Sequence, residues 1–269
     1  VSVELTAKNQ VQLSWSAQPD EQEPTATPTY YIIYTATGHG GFDNGTKVNG
    51  TSAVMTIEPG ETYHFRVTAA NRGGESFPSE TVSAFSCPNA RKTILVINGF
   101  HRLATPAVVD NNYQQGFDID RDPGVSYGLT AGWNGRQQCF DVSRMGHEGP
   151  GGLGYGGDEL AGHFIAGNDF NYTIAHTDAI ASAKQYNVVS CSSEAIEAGK
   201  VKLEKYQAVD LILGLEKYDP NTVKYYKSFP MSMQRRIAAY TQGGGRILVS
   251  GAYVGEDMMQ EDDAAWLSR

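Results

Sequence analysis

The sequence lacks any apolar run near the roughly 20 residues that a membrane-spanning helix needs. It also lacks a block of Lys and Arg long enough to follow a phosphate backbone, and its formal net charge of −9 is spread along the chain. We therefore predict no transmembrane segment and no nucleic-acid partner. Val1 begins directly in strand-like sequence, so we expect that any signal peptide has been removed.

Cysteine is scarce. The chain holds Cys87, Cys139 and Cys191, with no Cys-x-x-Cys pair and no histidine at zinc-finger spacing, so we expect no structural metal site, and nothing else in the sequence indicates a cofactor. The odd number leaves at least one thiol free or paired outside the chain. Cys139 and Cys191 form either a disulfide or two buried thiols, and no nucleophile motif accompanies either of them.

Length and composition favour two domains. A chain of 269 residues with 40% apolar residues has enough material for two cores, and its 30 glycines indicate many turns. The hydrophobic pattern changes near residue 87. We therefore place a first domain at residues 1–87 and a second domain at residues 92–269.

Short strands dominate the first domain. Val11, Leu13 and Trp15 alternate with polar residues, residues 30–35 are rich in aromatic and β-branched side chains, and residues 63–71 alternate again. Turn clusters rich in glycine, asparagine and proline separate these runs. The pattern predicts an antiparallel β-sandwich.

Several segments of this domain occur together in one known family. They are Trp15 and residues 59–63, 65–67, 71–76 and 79–80. The combination resembles a fibronectin type III domain. The resemblance implies that Tyr63 is the corner tyrosine, whose hydroxyl ties a strand start to the preceding loop, and that Trp15 fills the core. It also implies a spacing or presenting role among other domains of a longer, exported chain.

Two histidines of the first domain are candidate ligands in principle. His39 lies in a glycine-rich loop and His64 lies on a predicted strand. The simpler interpretation, which we prefer, is that both are solvated polar residues.

The second domain shows a different pattern. Residues 93–97 form a continuous apolar run, typical of a strand buried on both faces, and similar runs follow at 187–190, 208–213 and 246–250. Helical periodicity separates them at 175–185, 193–205 and 231–242. Strands that alternate with helices predict a three-layer α/β domain with a mostly parallel sheet and right-handed crossovers.

The end of the chain resembles a second family. Residues 237–251 resemble the helix, glycine turn and strand of glutamine-amidotransferase-like, or flavodoxin-like, domains. The resemblance implies a nucleophile where the strand ends, and Ser250 occupies that place. The flanking residues Leu248 and Ala252 depart from the small residues that usually surround such an elbow.

The whole second domain resembles the α/β domain of bacterial envelope proteins labelled xanthan-lyase-like, which fibronectin-type domains accompany. Residues 97–100, 189–191, 250–253 and the glycine-rich stretch carry this resemblance. It implies a secreted, periplasmic or cell-surface location and a carbohydrate or cell-wall context, with polysaccharide-processing or hydrolase activity left open.

A long insertion, at about residues 99–168, interrupts the second domain. It far exceeds the usual connection of about 4–6 residues, so it is either functional or a packed irregular loop. Within it, Asp118, Asp120 and Asp122 alternate as in a calcium loop. However, Gly124 comes one place late and Leu129 stands at the twelfth position, so we prefer a solvated acidic turn and predict no metal.

Ligands of open parallel sheets bind outside the carboxyl ends of the strands, and we place His176 and Asp178 there, after the segment 171–175. The candidate ligand-binding residues are Asn98, His101, Trp133, Ser192 and Tyr253. The candidate catalytic residues are Ser250 as nucleophile, His176 as its base, and Asp178 or Glu216 as the carboxylate that orients the imidazole.

Three functions follow from these patterns. In the first, the sandwich presents an α/β domain that binds a glycan, a cell-wall fragment or a partner protein. In the second, the chain is a serine hydrolase that acts on saccharide or acyl substrates through Ser250. In the third, it is a purely structural spacer.

Overall fold

A computed structural model describes residues 1–19, 22–118, 121–128, 137–141, 156–157, 167–220, 222 and 225–268, with the backbone alone for 137–141, 156–157 and 261. The chain forms two compact units. Unit 1 contains Val1–Phe100, Phe170–Gly214 and Ser228–Arg269, and unit 2 contains His101–Asp169 and Leu215–Lys227. Unit 2 takes up most of the segment that we interpreted as an insertion. The boundary predicted at residues 87–92 falls within unit 1, and its status as a domain boundary stays a prediction.

The first eight strands build an antiparallel sandwich, as predicted. They are β1 (Ser2–Ala7), β2 (Gln10–Ser14), β3 (Tyr30–Thr37), β4 (Thr46–Val48), β5 (Ser52–Thr56), β6 (Thr62–Asn71), β7 (Gly74–Glu75) and β8 (Val82–Phe85). One sheet has the order β1-β2-β5, and the other has the order β4-β3-β6-β8 with β7 paired to β6. A 3-10 helix at Pro24–Ala26 precedes β3.

The sandwich core contains the residues that the alternation placed inward. Val11 and Leu13 are fully buried, and Trp15 packs edge-on against Tyr31 with 5.4 Å between ring centroids. The Tyr63 hydroxyl accepts a hydrogen bond from the backbone N–H of Glu58 at 3.1 Å. The corner tyrosine and the core position of Trp15 are therefore confirmed.

After β9 (Thr93–Asn98) the chain enters unit 2, for which the sequence analysis predicted no strands. This unit has a four-stranded antiparallel sheet with the order β10-β11-β12-β13. The strands are β10 (Ala107–Asp110), β11 (Gln114–Asp118), β12 (Gln137–Asp141) and β13 (Gly156–Gly157).

The rest of unit 1 alternates helices and strands. They are α1 (Tyr172–Ser182), β14 (Asn187–Ser192), α2 (Ser193–Glu197), β15 (Ala208–Gly214), α3 (Met231–Gln242), β16 (Ile247–Gly251) and α4 (Glu261–Leu267), with 3-10 helices at Leu203–Lys205 and Glu256–Met258. The four apolar runs form parallel strands with the order β14-β9-β15-β16. None of the helices among the described residues is long and apolar enough to cross a membrane.

Alternate residues of the parallel strands pack into two different clusters. One cluster unites α1 with strand residues Val96, Val188 and Ile212. The other cluster unites α3 with Leu95, Ile97 and Leu211, and it also contains the sandwich core. Because successive side chains of a strand point to opposite faces, α1 and α3 lie on opposite faces of the sheet.

Two predicted elements are wrong in detail. The helix predicted at 193–205 ends at Glu197, because Gly199 takes a left-handed conformation with φ +69° that an α-helix does not contain. The segment 171–175, after which we placed His176 and Asp178 at the carboxyl end of a strand, is not a strand, because α1 begins at Tyr172 with Asn171 as its N-cap. His176 and Asp178 therefore lie within a helix and do not follow a strand.

Hydrogen bonds join the sandwich and the parallel strands into one sheet. Strand β14 pairs with β8 through Val188 and Phe85, and with β1 through Cys191 and Ser2, in both cases antiparallel. The connection between β8 and β9 is also held, because the backbone N–H of Cys87 donates to Asn187 Oδ1 at 2.9 Å. Unit 1 therefore has no break in hydrogen bonding at residues 87–92.

Candidate functional site

A histidine and an aspartate pair on the α1 face of the parallel sheet. His176 Nδ1 lies 2.7 Å from Asp210 Oδ2, and Asp210 occupies the middle of β15 beside Val96 and Leu248. Asp210 is 5% exposed, whereas the His176 side chain is 30% exposed. The hydrogen bond to Asp210 raises the pKa of His176, and the aspartate charge adds to this effect against the opposing effect of partial burial.

This pairing determines the chemistry of the imidazole. If Nδ1 donates its proton to Asp210, the neutral ring keeps a lone pair on Nε2, which is the arrangement of an oriented general base. Asp210 Oδ1 is buried and has no hydrogen-bond partner in the described part of the chain. Buried carboxylate oxygens normally have partners, so this atom gives the pair an unused acceptor.

Sequence reasoning missed Asp210. It assigned the orienting role to Asp178 or Glu216, but the carboxylate at Nδ1 of His176 is that of Asp210. The signal was present in the sequence, because Asp210 is the one charged residue in the apolar run 208–213. A carboxylate buried in such a strand needs a charged or hydrogen-bonding partner.

Asp178 faces away from His176, as residues two apart on a helix do. Its Oδ2 lies 3.7 Å from His39 Nδ1, and its Oδ1 lies 4.0 Å from His64 Nε2. His39 is exposed, as expected, but His64 is only 1% exposed, so the interpretation of His64 as solvated is wrong. Because Phe65 points into the sandwich core, His64 points to the opposite face of β6, which lies against α1.

Three predicted site residues occupy one row across the parallel sheet. Ser192 of β14 pairs with Asn98 of β9, Asn98 pairs with Ile212 of β15, and Ile212 pairs with Ser250 of β16. Paired residues of parallel strands point to the same face, so Ser192, Asn98 and Ser250 share the α1 face at the carboxyl ends of their strands. Asp210 lies two residues before Ile212 on that same face.

Ser250 is not on a strained elbow. Phe170 and Lys184 are the non-glycine residues with positive φ among those described, and Ser250 is not one of them. Its side chain is half-buried and makes no hydrogen bond to His176 among the described contacts. Leu248, on the same face of β16, is 64% exposed, so this part of the sheet is open to solvent.

The other predicted ligand-binding residues have mixed environments. Asn98 is buried, and its amide donates to the carboxylate of Glu80. Ser192 is also buried, and its hydroxyl lies 3.1 Å from the backbone nitrogen of Val1. Tyr253 is half-buried in the turn after β16. Trp133 lies outside the described residues.

Glu216 and His101 belong to unit 2, where the Glu216 carboxylate accepts hydrogen bonds from backbone N–H groups. Glu216 Oε2 accepts hydrogen bonds from the N–H groups of His101 and Arg102 at 2.8 and 2.9 Å. The carboxylate is buried and fixes the start of this segment. Glu216 therefore has a structural contact within its own unit, and its predicted role as the carboxylate that orients His176 stays a prediction.

A buried charge network stabilises unit 2. The guanidinium of Arg102, which is 0% exposed, contacts the carboxylates of Asp122 and Asp219, and Lys217 Nζ lies 3.2 Å from Asp122. Burial alone would raise the pKa of Asp122, but hydrogen bonds from Arg102 and from the Gly124 N–H, with the nearby cations, lower it overall. The interpretation of Asp122 as part of a solvated turn is wrong, since Arg102 requires this carboxylate.

The two cysteines with described side chains are buried free thiols. They are Cys87 and Cys191. Burial raises the pKa of the Cys191 thiol, which disfavours the thiolate that a nucleophile requires. The side chain of Cys139 lies outside the description, but the free state of Cys191 excludes a disulfide between the two.

A family model matches the N-terminal part of the chain, and several solved structures resemble part of it. The profile described as "Fibronectin type III domain" matches residues 1–85. The solved structure of FN3tt mut is 23% identical, with 31% of this chain and 87% of that chain covered and a TM-score of 0.26. The fn3 domain of human contactin 1 is 21% identical, with coverages of 31% and 71% and a TM-score of 0.27. The twitchin kinase region from C. elegans is 18% identical, with coverages of 51% and 28% and a TM-score of 0.28. Residues 1–85 of this chain are thus a fibronectin type III domain.

Proposed function

We propose that this chain is a module of a longer, exported bacterial protein, in which the fibronectin type III domain holds a flavodoxin-like α/β domain in a fixed orientation. The α/β domain then binds a glycan, a cell-wall fragment or a partner protein. The proposal includes a secreted, periplasmic or cell-surface location. It also includes a likeness of the second domain to xanthan-lyase-like envelope proteins.

The shared sheet is the observation that carries the proposal. A domain that acts only as a flexible spacer needs a free linker, but β14 pairs with strands from both sheets of the sandwich. Further bonds connect the sandwich to the α1 side, since Thr173 Oγ1 donates to the carbonyl of Thr81 at 2.7 Å. Such a junction favours a presenting platform over a hinge.

The strand order supports the flavodoxin-like assignment. Numbered along the chain, the parallel strands have the order 2-1-3-4, which is the beginning of the flavodoxin order. The reversal of strand order lies between β9 and β15, and ligands of such sheets bind at this point outside the carboxyl ends. Asn98 ends β9 at that position and Ser250 lies in the same row one strand beyond β15, which supports a polar ligand there.

Binding is the first test. The intact chain is applied to an array of bacterial glycans and cell-wall fragments, together with Tyr253→Ala and Phe77→Ala, the latter changing a side chain that is 96% exposed in the sandwich. We expect a ligand whose binding weakens at least about tenfold in Tyr253→Ala and stays unchanged in Phe77→Ala. Loss in Phe77→Ala instead would assign binding to the sandwich. An array without any ligand would leave the purely structural spacer as the better interpretation.

A serine hydrolase is the second candidate, and the His176–Asp210 pair favours it. Ser250 and Asp210 lie on the same face of the sheet. For hydrolysis, the side chains would have to rearrange on substrate binding so that the Ser250 hydroxyl reaches His176 Nε2. The test is labelling of Ser250 by a fluorophosphonate probe. The control variant is Ser182→Ala, which replaces an exposed serine on α1. Labelling that disappears in His176→Gln and persists in Ser182→Ala supports hydrolysis. Labelling that is absent in the unaltered chain excludes it.

A further inference from the structure

Four asparagines of the chain are followed directly by glycine. They are Asn44, Asn49, Asn98 and Asn134, of which Asn134 lies outside the described residues. Asparagine is thermolabile, because the backbone nitrogen of the next residue can attack its side-chain amide. A glycine in that next place favours the attack, since it has no Cβ to obstruct the approach and its backbone rotates freely. The local structure then decides which of these pairs can react.

Two of the described pairs are held by a hydrogen bond at the glycine nitrogen. The N–H of Gly45 donates to Asp43 Oδ1 at 2.9 Å. The N–H of Gly99 donates to the carbonyl of Ile212 at 2.8 Å. Gly45 is also closely packed, because a Cβ there would lie 2.4 Å from Ile32 Cγ2. A nitrogen held in this way cannot approach the preceding side chain without breaking its own hydrogen bond.

The third described pair, Asn49 and Gly50, lacks this protection. It lies in the turn between β4 and β5, where both residues are exposed. The Gly50 N–H and the Asn49 side chain have no hydrogen bond among the described contacts. Gly50 has φ +87°, and no atom lies within 4 Å of the position of a Cβ. The nitrogen and the amide can therefore meet without the loss of any contact in the described part of the chain.

We propose that Asn49 is a site of spontaneous deamidation in the folded chain. The Gly50 nitrogen bonds to Cγ of Asn49, its proton passes through water to the departing amide, and ammonia leaves. The product is a five-membered succinimide ring. Water then opens the ring at one of its two carbonyls. Opening at the backbone carbonyl gives isoaspartate, and opening at the side-chain carbonyl gives aspartate.

The modification acts on the start of β5. Isoaspartate lengthens the main chain by one carbon after Asn49, shortly before Thr51. The carbonyl of Thr51 accepts a hydrogen bond from the N–H of Trp15 at 3.0 Å. A longer turn displaces this carbonyl, so the N–H of Trp15 should exchange hydrogen faster in the isolated isoaspartate form. Both products also add a negative charge to a chain whose formal net charge is already −9.

Peptide mapping of the folded chain during incubation at mildly alkaline pH tests the proposal. Electron-transfer fragmentation distinguishes isoaspartate from aspartate, and Asn44 is the internal control because the same two residues, glycine and threonine, follow it and Asn49. We expect deamidation of Asn49 to be at least about tenfold faster, equivalent to about 1.4 kcal/mol, since the hydrogen bond of Gly45 must first break. In concentrated urea, which removes the structure, Asn44 and Asn49 should react at similar rates.

Two variants examine the cause. Asp43→Ala removes the acceptor of the Gly45 N–H, so it should accelerate deamidation of Asn44 and leave the rate at Asn49 unchanged. An unchanged rate at Asn44 would overturn the role given to the hydrogen bond. Asn49→Gln should abolish the product at this position, because glutamine would have to form a larger ring. The replaced residue is exposed, so an unchanged thermal unfolding midpoint is expected.

Three further outcomes overturn the proposal. They are no deamidation of Asn49 in the folded chain, equal rates at Asn44 and Asn49 in the folded chain, and the same excess of Asn49 over Asn44 in urea. The last outcome would assign the difference to neighbouring residues in the sequence and not to the structure.

Discussion

Phe85, in the last strand of the fibronectin type III domain, lies opposite Val188 of the parallel sheet in an antiparallel pair. Phe85 and Val188 also belong to the same buried cluster, together with Ala181 of α1. The pair therefore connects the two parts of unit 1 by both backbone pairing and apolar packing. Stability is expected to be shared across this junction, because neither part can lose its structure without exposing the other.

Replacement of Val189 tests this coupling. Val189→Ala removes two buried carbons from β14, in the cluster that contains the sandwich core, and should lower the free energy of unfolding by about 1–3 kcal/mol. Hydrogen exchange should show the same decrease in β3 of the sandwich as in β15. The control Val54→Ala, at a side chain that is 59% exposed, should change stability by less than about 0.5 kcal/mol. Unchanged protection of β3 in Val189→Ala would mean that the sandwich unfolds independently.

The His176–Asp210 pair should make stability depend on pH. Asp210 raises the pKa of His176 above its value of about 6.5 in the unfolded chain, so the stabilisation is complete below that value and is lost as pH rises through the folded pKa. The difference in unfolding free energy between the unaltered chain and His176→Gln should be larger at pH 5.5 than at pH 9, by about 1 kcal/mol. In an Asp210→Asn background, the same replacement should show no such trend. An equal difference at both pH values would contradict the pairing.

Local patterns predicted the main strands of unit 1 but not the strands of unit 2, and long-range contacts explain part of what was missed. The alternation around Leu13 and the apolar runs at β9 and β15 reflect periodicities that each segment carries by itself. The junction of Phe85 with Val188 joins residues far apart in sequence, and no local pattern encodes it. In the same way, the periodicity of an apolar strand does not account for Asp210. Its partner His176 could not be identified from the sequence, because the two residues meet only when α1 packs on the sheet.

The charge network of unit 2 should be sensitive to a single neutralisation. Asp122→Asn removes one of two carboxylates that face the buried guanidinium of Arg102, and should destabilise unit 2 by about 3 kcal/mol, since Asp219 remains. Hydrogen exchange in β10 and β11 measures this effect. The control Asp110→Asn alters an exposed carboxylate that contacts Gln115 and should change stability little. Because the folded pKa of Asp122 is lowered, its contribution in the unaltered chain should persist above the unfolded value of about 3.9 and disappear as pH falls through the folded pKa.

The hydroxyl of Tyr63 should contribute to the stability of the sandwich separately from the aromatic ring. Tyr63→Phe keeps the ring, which stacks with Phe65 at 6.3 Å between centroids, but leaves the backbone N–H of Glu58 without its acceptor. We expect a loss of about 1 kcal/mol in chemical denaturation. Tyr30→Phe, in the same sandwich, is the matched control, because the hydroxyl of Tyr30 has no hydrogen bond among the described contacts and its ring contacts Lys47. Equal effects of the two replacements would argue against the corner bond.

Replacement of two glycines distinguishes the cost of a left-handed backbone from the cost of steric overlap. Gly214, at the end of β15, has φ +51°, and a Cβ there would lie 2.3 Å from Phe100 Cδ1. Gly244, after α3, has φ +85° with no atom within 4 Å of a Cβ. Gly244→Ala should therefore cost about 1–2 kcal/mol through its left-handed backbone alone, whereas Gly214→Ala adds the displacement of a buried ring and should cost at least about 3 kcal/mol. Thermal unfolding of the two variants measures the difference. Equal losses would show that Phe100 moves aside freely, and the carboxyl end of β15, where we place the ligand, would then be deformable and not preformed.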